Sequence, residues 1–135
     1  GPENLGQLWE YEPAQERLTL IYQSLSREDL ENPDNVVFVP RTGDIFLQED
    51  GPADEFVRGV TQDGAIYDFA RTIVNQSEFC GGCFSPDGNT FFLNQQGERG
   101  TGDSSAEQNE GGAITYAIWG PFARAGRGGP PTRPR

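Results

Sequence analysis

Oxygen-bearing side chains flank one predicted β-hairpin and could together bind a metal ion. The segment at residues 32–51 reads NPDNVVFVPRTGDIFLQEDG, with Asp34 and Asn35 near its start and Glu49 and Asp50 near its end. In an antiparallel pair, the start of one strand lies beside the end of the next. Three carboxylates and an amide would then converge, and hard cations favour such oxygen ligands. The sequence therefore predicts a Ca²⁺ site here, with solvent-facing acids as the alternative.

The composition limits what else this protein could do. The chain has 135 residues, no histidine, ten arginines, no lysine and a net charge of -11. The lack of histidine excludes the common general base, the imidazole metal ligand and the usual nucleophilic triad. The negative charge argues against nucleic acid and anionic membranes as partners, and no apolar run approaches the roughly 18 residues of a membrane span. The lack of methionine predicts a processed or partial chain.

Two cysteines and a glutamate form a second candidate group. Cys80 and Cys83 make a single CGGC motif. A zinc site would need two further ligands, and histidine is absent. A redox pair of the thioredoxin type would open a helix, whereas this motif runs into FSPDG and a predicted strand. We therefore expect free thiols or a short disulfide in an oxidising compartment, with an iron ligand in a larger site as the alternative. Glu78, just before the motif, is a candidate catalytic base or ligand, or a plain surface acid.

An internal repeat must position these residues. The stretches FVPRTGDIFLQEDG (residues 38–51) and FSPDGNTFFLNQQG (residues 84–97) align without a gap at an offset of 46. Each places a turn with proline and glycine between two apolar stretches, which predicts a β-hairpin. A third strand-like stretch follows each copy, GAIYDFA and then GAITYAI, and the similar GQLWEYE precedes the first copy.

This repeat predicts an all-β fold, because periods of about 40–50 residues with several short strands are typical of propeller blades. We expect a partial β-propeller of about two and a half blades, a fragment of a larger ring, since propellers close with typically 4–8 blades. The outer part of one blade falls at residues 6–24, a blade at 35–74 and most of another at 80–119. A β-sandwich is the alternative.

The remaining segments are short or polar. SREDL at residues 26–30 predicts a single helical turn. The acidic, glycine-rich stretch at residues 97–112 predicts a mobile loop. Residues 1–122 are thus predicted to form the blades, and residues 123–135 a disordered tail.

Several motifs together resemble a known family. LWEYEP, ENPDNVVFVPRTGDIFLQEDG, AIYDFA, SEFCGGCFSPDGNTFFLNQQ and ITYAIWGPF are similar, in this order, to the C-terminal part of PhoX-type bacterial alkaline phosphatases. The resemblance covers about residues 8–122. Its most specific part is SEFCGGCFSPDGNTFFLN followed by AIWGP. Many members of the family have a shorter final loop than residues 97–112.

The resemblance implies a six-bladed propeller that binds Ca²⁺ and Fe³⁺ and hydrolyses phosphate esters in the periplasm or outside the cell, after twin-arginine export. Glu49 matches an expected metal ligand, Asp34 and Asn35 match the family's PDN motif, and Glu78 is the matching candidate for a catalytic role. The implied partners are the remaining blades of the parent chain and a phosphate ester, so we expect the isolated chain to be inactive. A non-enzymatic propeller scaffold and a small module that assembles into a ring are the alternatives.

Overall fold

The computed structural model describes residues 5–51, 54–73, 77–97, 112–120 and 122. Nine β-strands and one short 3₁₀ helix, Pro13–Gln15, make up the regular structure of these residues. The strands are β1 Gln7–Glu12, β2 Arg17–Gln23, β3 Pro33–Phe38, β4 Ile45–Glu49, β5 Phe56–Val60, β6 Ile66–Arg71, β7 Phe79–Phe84, β8 Thr90–Gln95 and β9 Ile114–Trp119. This predominance of strands confirms the predicted all-β class.

The strands form three antiparallel sheets in the order of the sequence. The first sheet contains β1 and β2, the second contains β3 to β6, and the third contains β7, β8 and β9. Within each sheet, every strand pairs with the strand next to it in the chain, as in the blades of a propeller. The two, four and three strands match the predicted outer part of a blade, whole blade and further blade. The described sheets do not close into a ring.

The two sequence repeats fold in the same way. The turn between β3 and β4 closes with a hydrogen bond from the Val39 N–H to the Asp44 carbonyl at 2.9 Å. Its counterpart between β7 and β8 runs from the Ser85 N–H to the Thr90 carbonyl at 2.8 Å. Both residues of the second bond are offset by 46 from those of the first, so the ungapped alignment corresponds to one repeated hairpin.

Equivalent positions of the two repeats also touch each other. The Arg41 side chain donates to the Asp87 carbonyl at 2.9 Å, across a separation of 46 residues. The Gly81 N–H points to Asn35 Oδ1 at 3.4 Å, again across 46 residues. Contacts between matching positions of consecutive repeats are what the stacking of repeated units produces. The second and third sheets are therefore arranged as neighbouring blades.

Apolar side chains cover both faces of the second sheet. Successive residues of a strand point to opposite faces, so Phe46 and Leu47 of β4 enter different clusters. Phe46 packs against Phe91 of the third sheet, with ring centroids 5.3 Å apart. Leu47 packs with Leu30 and Val60 in a cluster that includes residues of the first sheet. The second sheet is thus the middle layer of three.

The other segments have different outcomes. Residues 26–30 form one hydrogen-bonded turn, in which the Leu30 N–H donates to the Ser26 carbonyl at 3.4 Å. This is the predicted single turn, and it does not extend into a helix because β3 begins at Pro33. Most of the predicted loop at residues 97–112 and all of the predicted tail at 123–135 lie outside the described residues. Within the described ranges, no helix has the length and apolar character that crossing a bilayer requires.

Candidate functional site

Glu49, a predicted metal ligand, ends β4 with its carboxylate already engaged. The residue is 2% exposed and pairs in register with Pro33 at the start of β3. Its Oε1 accepts hydrogen bonds from the Glu31 N–H at 2.9 Å and from Arg58 Nε at 3.0 Å. Arg58 therefore neutralises the charge of the Glu49 carboxylate, whereas the sequence predicts that a metal ion does so.

Arg58, which the sequence analysis did not identify, reaches Glu49 because both lie on one face of the second sheet. The register of β4 and β5 pairs Leu47 with Arg58, which makes Glu49 a diagonal neighbour of the arginine. Arg58 also forms an ion pair with Asp68 on β6, and its guanidinium carbon lies 3.7 Å from the centre of the Phe56 ring. Burial raises the pKa of Glu49, while the hydrogen bond and the charge of Arg58 oppose that rise.

A cavity of about 520 Å³ opens over this ion-pair network. At its edge Arg27 forms an ion pair with Glu31. The lining consists of two arginines, five acidic residues and a phenylalanine: Arg27, Glu28, Glu31, Glu49, Asp54, Phe56, Arg58 and Asp68. The excess of carboxylates makes the local potential negative, so the cavity suits a cation better than an anion.

Asp34 and Asn35 lie at the predicted end of the hairpin, and the side chain of Asn35 is on the face opposite that of Glu49. A bulge interrupts the register after Pro33, so that Asn35 pairs with Gln48. Asn35 and Gln48 both accept hydrogen bonds from β7 of the third sheet, whereas Glu49, the next residue, points to the opposite face. Asp34 is exposed and accepts a hydrogen bond from Asn35 Nδ2 at 3.0 Å. The shared end of the hairpin is as predicted, and among the described residues the three carboxylates of Asp34, Glu49 and Asp50 are not grouped so that they could hold a metal ion.

Glu55 is a buried carboxyl that the sequence analysis missed. It is 1% exposed, and the Gly51 N–H lies 2.9 and 3.0 Å from its two oxygens. Burial is the main cause that raises the pKa of Glu55 to about 7; the hydrogen bond from Gly51 opposes the rise, and the charges of Glu49, Asp50 and Glu78 add to it. This carboxyl can therefore exchange a proton near neutral pH.

Glu78, the candidate catalytic residue, is half-buried just before β7. Its Oε2 accepts a hydrogen bond from Gln96 Nε2 at 2.6 Å, and its carbonyl accepts one from the Gln96 N–H at 2.9 Å. Gln96 thus fixes both the backbone and the side chain of Glu78. Since the charge of Glu78 acts on Glu55, these two acids share one electrostatic environment.

The described residues fit a metal ion only in part. Within the described ranges, no group of three or more Asp, Glu or Cys side chains is arranged to hold one. Asp34 and Asn35 carry oxygens of the kind that Ca²⁺ prefers. One oxygen of Glu49 is already engaged, because Arg58 Nε and the Glu31 N–H both donate to its Oε1. A complete metal centre would need ligands from outside these residues.

Comparison with known proteins supports the resemblance seen in the motifs. A family model described as Alkaline phosphatase PhoX matches residues 2–98. No curated protein and no solved structure matches the chain. The matched range runs through β1 to β8 and includes Asp34, Asn35, Glu49, Arg58 and Glu78. The resemblance is therefore confirmed over the part of the chain that carries the candidate site.

Proposed function

The chain belongs to the PhoX alkaline phosphatase family, and on that premise we propose that it is the C-terminal portion of a secreted, metal-dependent phosphatase that hydrolyses phosphate esters. The family match over residues 2–98 is the observation that carries this proposal. The proposed cofactors are Ca²⁺ and Fe³⁺, and the proposed location is the periplasm or the cell exterior, reached by twin-arginine export. The isolated chain is expected to be inactive, because it contributes only part of the site.

Equivalent aromatic residues support the presence of further blades in the working protein. Phe46 of the second sheet is 2% exposed, whereas its equivalent in the third sheet, Phe92, is 39% exposed. Conversely, Phe84 packs into the core between these sheets, whereas its equivalent Phe38 is 66% exposed. Each exposed ring lies on a sheet face where a neighbouring blade would cover it. Burying one such ring contributes roughly 1.5–3 kcal/mol.

We propose that the remaining blades of the parent chain cover these two faces. Val36 is exposed beside Phe38, and Trp119 is exposed on the face that carries Phe92. Contiguous apolar patches of this kind mark surfaces that bind another protein surface. A closed ring would also gather the first strands of its blades around one axis, as β3 and β7 already lie together. Ligands from several blades could meet there.

In this proposal each candidate residue has one role. Asp34 and Asn35 supply oxygens to Ca²⁺ from the start of β3. Glu49 supplies a carboxylate to a metal after Arg58 moves away from it, and Arg58 then keeps Asp68 as a charge partner. Glu78, held by Gln96, receives the proton of the attacking oxygen. When bound, the metal ions would neutralise the charge that develops on the phosphoryl group.

The test compares this chain with a longer form of the protein that includes the blades proposed to precede β1. Hydrolysis of p-nitrophenyl phosphate is measured before and after treatment with a chelator, and again after Ca²⁺ and Fe³⁺ are restored. We expect turnover only from the longer form, lost with the chelator and regained with the metals. Turnover from the 135-residue chain alone, or turnover that resists the chelator, would contradict the proposal.

Variants of the longer form separate the ligands from the surrounding acids. Asp34→Ala and Glu49→Gln are expected to lower both the metal content and the turnover. Asp54→Asn is the matched control, since Asp54 lines the same cavity but its side chain is half exposed. Its Oδ2 is 3.9 Å from Nη1 of Arg71, which is also exposed. Equal losses in all three variants would indicate a general effect of negative charge and would count against the assigned ligands.

The ion pair of Glu49 with Arg58 favours a second candidate function, a non-enzymatic propeller scaffold of the same family. A carboxylate that is permanently neutralised by arginine has no need of a metal. Elemental analysis of the longer form distinguishes the two functions. Stoichiometric calcium and iron support the phosphatase, and the lack of both supports the scaffold.

A further inference from the structure

A bulge in β7 places Cys80 and Cys83 on the same face of the third sheet. In an uninterrupted strand, residues three apart point to opposite faces. Here Cys80 pairs with Asn94 and Cys83 with Phe92, and the register shifts between the two cysteines. Asn94 and Phe92 are two apart on β8, so their side chains share a face. Their partners, the two cysteines, therefore share that face as well.

The same bulge shortens the distance between the two cysteines. Three residues of regular strand would separate their Cα atoms by about 10 Å, because each residue advances the chain by about 3.3 Å. Pairing with residues two apart on β8 instead imposes a separation of about 6.7 Å. Disulfides join Cα atoms that are roughly 4.4–6.8 Å apart. The bulge thus brings the cysteines from beyond the reach of a disulfide to the upper end of its range.

The neighbouring sheet holds the bulge in place. The Gly82 N–H donates to Gln48 Oε1 at 3.0 Å, and the Gly81 N–H points to Asn35 Oδ1. Gly81 has a φ of +61°, and a Cβ on Gly82 would lie 2.6 Å from Gln48 Nε2. The two glycines are therefore required by this local geometry, and the spacing of the cysteines is a fixed property of the fold.

Both thiols are free, and they lie away from the core between the second and third sheets. Phe79 and Phe84, on either side of the cysteines, turn towards that core. Cys83 is exposed and Cys80 is half-buried. This face also carries Phe92, so before a further blade packs on it a small disulfide in solution can reach Cys83 first, with Cys80 placed to react second.

We propose that Cys80 and Cys83 form a reversible disulfide by exchange with a low-molecular-weight disulfide such as oxidised glutathione. The thiolate of Cys83 attacks one sulfur of the oxidant, forms a mixed disulfide and releases one glutathione thiol. The thiolate of Cys80 then attacks the Cys83 sulfur and releases the second. The two cysteines lose two electrons and two protons in all, and the oxidant is reduced to two thiols.

The experiment equilibrates the folded chain with defined ratios of reduced and oxidised glutathione, quenches the thiols and determines the products by mass spectrometry. We expect a product lighter by two hydrogens and without bound glutathione. Cys80→Ser and Cys83→Ser each retain one thiol, so each should instead carry one bound glutathione. The same chain in concentrated urea is the control for preorganisation. The folded chain is expected to form the disulfide with an equilibrium constant at least about tenfold larger.

Three results would overturn the proposal. The first is folded chain that ends with glutathione bound to both cysteines. The second is folded chain that stays fully reduced where the urea-treated chain is oxidised. The third is an equilibrium constant in the folded chain no larger than in urea, which would show that the bulge does not bring the thiols together.

Discussion

Replacing Glu55 by glutamine should stabilise the protein at alkaline pH and leave its stability nearly unchanged in acid. The carboxyl of Glu55 is 1% exposed, and in this environment its pKa is raised to about 7, chiefly by burial. Ionisation therefore buries a charge for which, in the described part of the chain, the Gly51 N–H is the hydrogen-bond donor. Glutamine keeps an oxygen that can accept this hydrogen bond and cannot ionise.

The sign and size of the effect follow from the two pKa values. Between the ordinary value of 4.5 and the folded value of about 7, the folded state binds more protons than the unfolded state, so stability falls as pH rises. The penalty is nearly absent below pH 4.5 and complete above pH 7. For this difference in pKa, it amounts to about 1 kcal/mol near pH 5 and about 3 kcal/mol near pH 8.

The assay is urea unfolding of the wild-type chain and the Glu55→Gln variant at several pH values between 5 and 8, followed by intrinsic fluorescence. The variant should gain about 2 kcal/mol on the wild type across this range. Asp54→Asn is the matched control, because it removes a neighbouring carboxylate whose side chain is 50% exposed. Its effect should stay within about 0.5 kcal/mol at every pH.

A constant difference between the wild type and Glu55→Gln across the pH range would refute the reasoning. That result would mean that Glu55 ionises alike in the folded and unfolded chains. A variant that is less stable than the wild type near pH 8 would also refute it, since the hydrogen bond from Gly51 would then outweigh the cost of burying the charge.

Two further substitutions probe the contacts around the candidate site. Arg58→Met leaves Glu49 buried without its cation and should cost about 3–5 kcal/mol in urea unfolding; adding Glu49→Gln should restore most of the loss, and no restoration would argue against the ion pair. Gly82→Ala places a Cβ 2.6 Å from Gln48 Nε2 and should cost about 1–3 kcal/mol. Gly120→Ala, where a Cβ meets nothing within 4 Å, is its control, and equal losses would contradict the steric explanation.

The fold was predictable because the repeated residues are those that form the strands, the turns and the core. The apolar positions on either side of each turn fix the faces of the strands, and the proline and glycine between them fix the hairpins. Phe46 and Phe92 thus occupy matching places in neighbouring sheets without any knowledge of the coordinates. Matching places do not give equal burial, since Phe46 is 2% exposed and Phe92 is 39% exposed.

The site was less predictable, because it depends on the register of the strands and on Arg58, a partner that no sequence motif connects with Glu49. The bulge after Pro33 moves Asn35 opposite Gln48, and a shift of one residue changes which face a side chain occupies. No turn or spacing signal marks such a bulge in the sequence. Arg58 lies nine residues after Glu49, and only the register of β4 and β5 brings it to that carboxylate. For Glu55 the one available signal is the density of acids in EDGPADE at residues 49–55.

The two repeats share the apolar stretches that flank each turn and differ at their ends, where the candidate ligands lie. At the offset of 46, Asp34 of one copy corresponds to Cys80 of the other, and Glu49 corresponds to Gln95. The ends of β3 and β4 thus carry carboxylates, while the equivalent ends of β7 and β8 carry a thiol and an amide. A core that only needs shape tolerates the same residues in every blade, whereas a site needs different groups from different blades. The divergent ends, rather than the polar turns between them, are therefore where ligands, protons and redox partners should be sought.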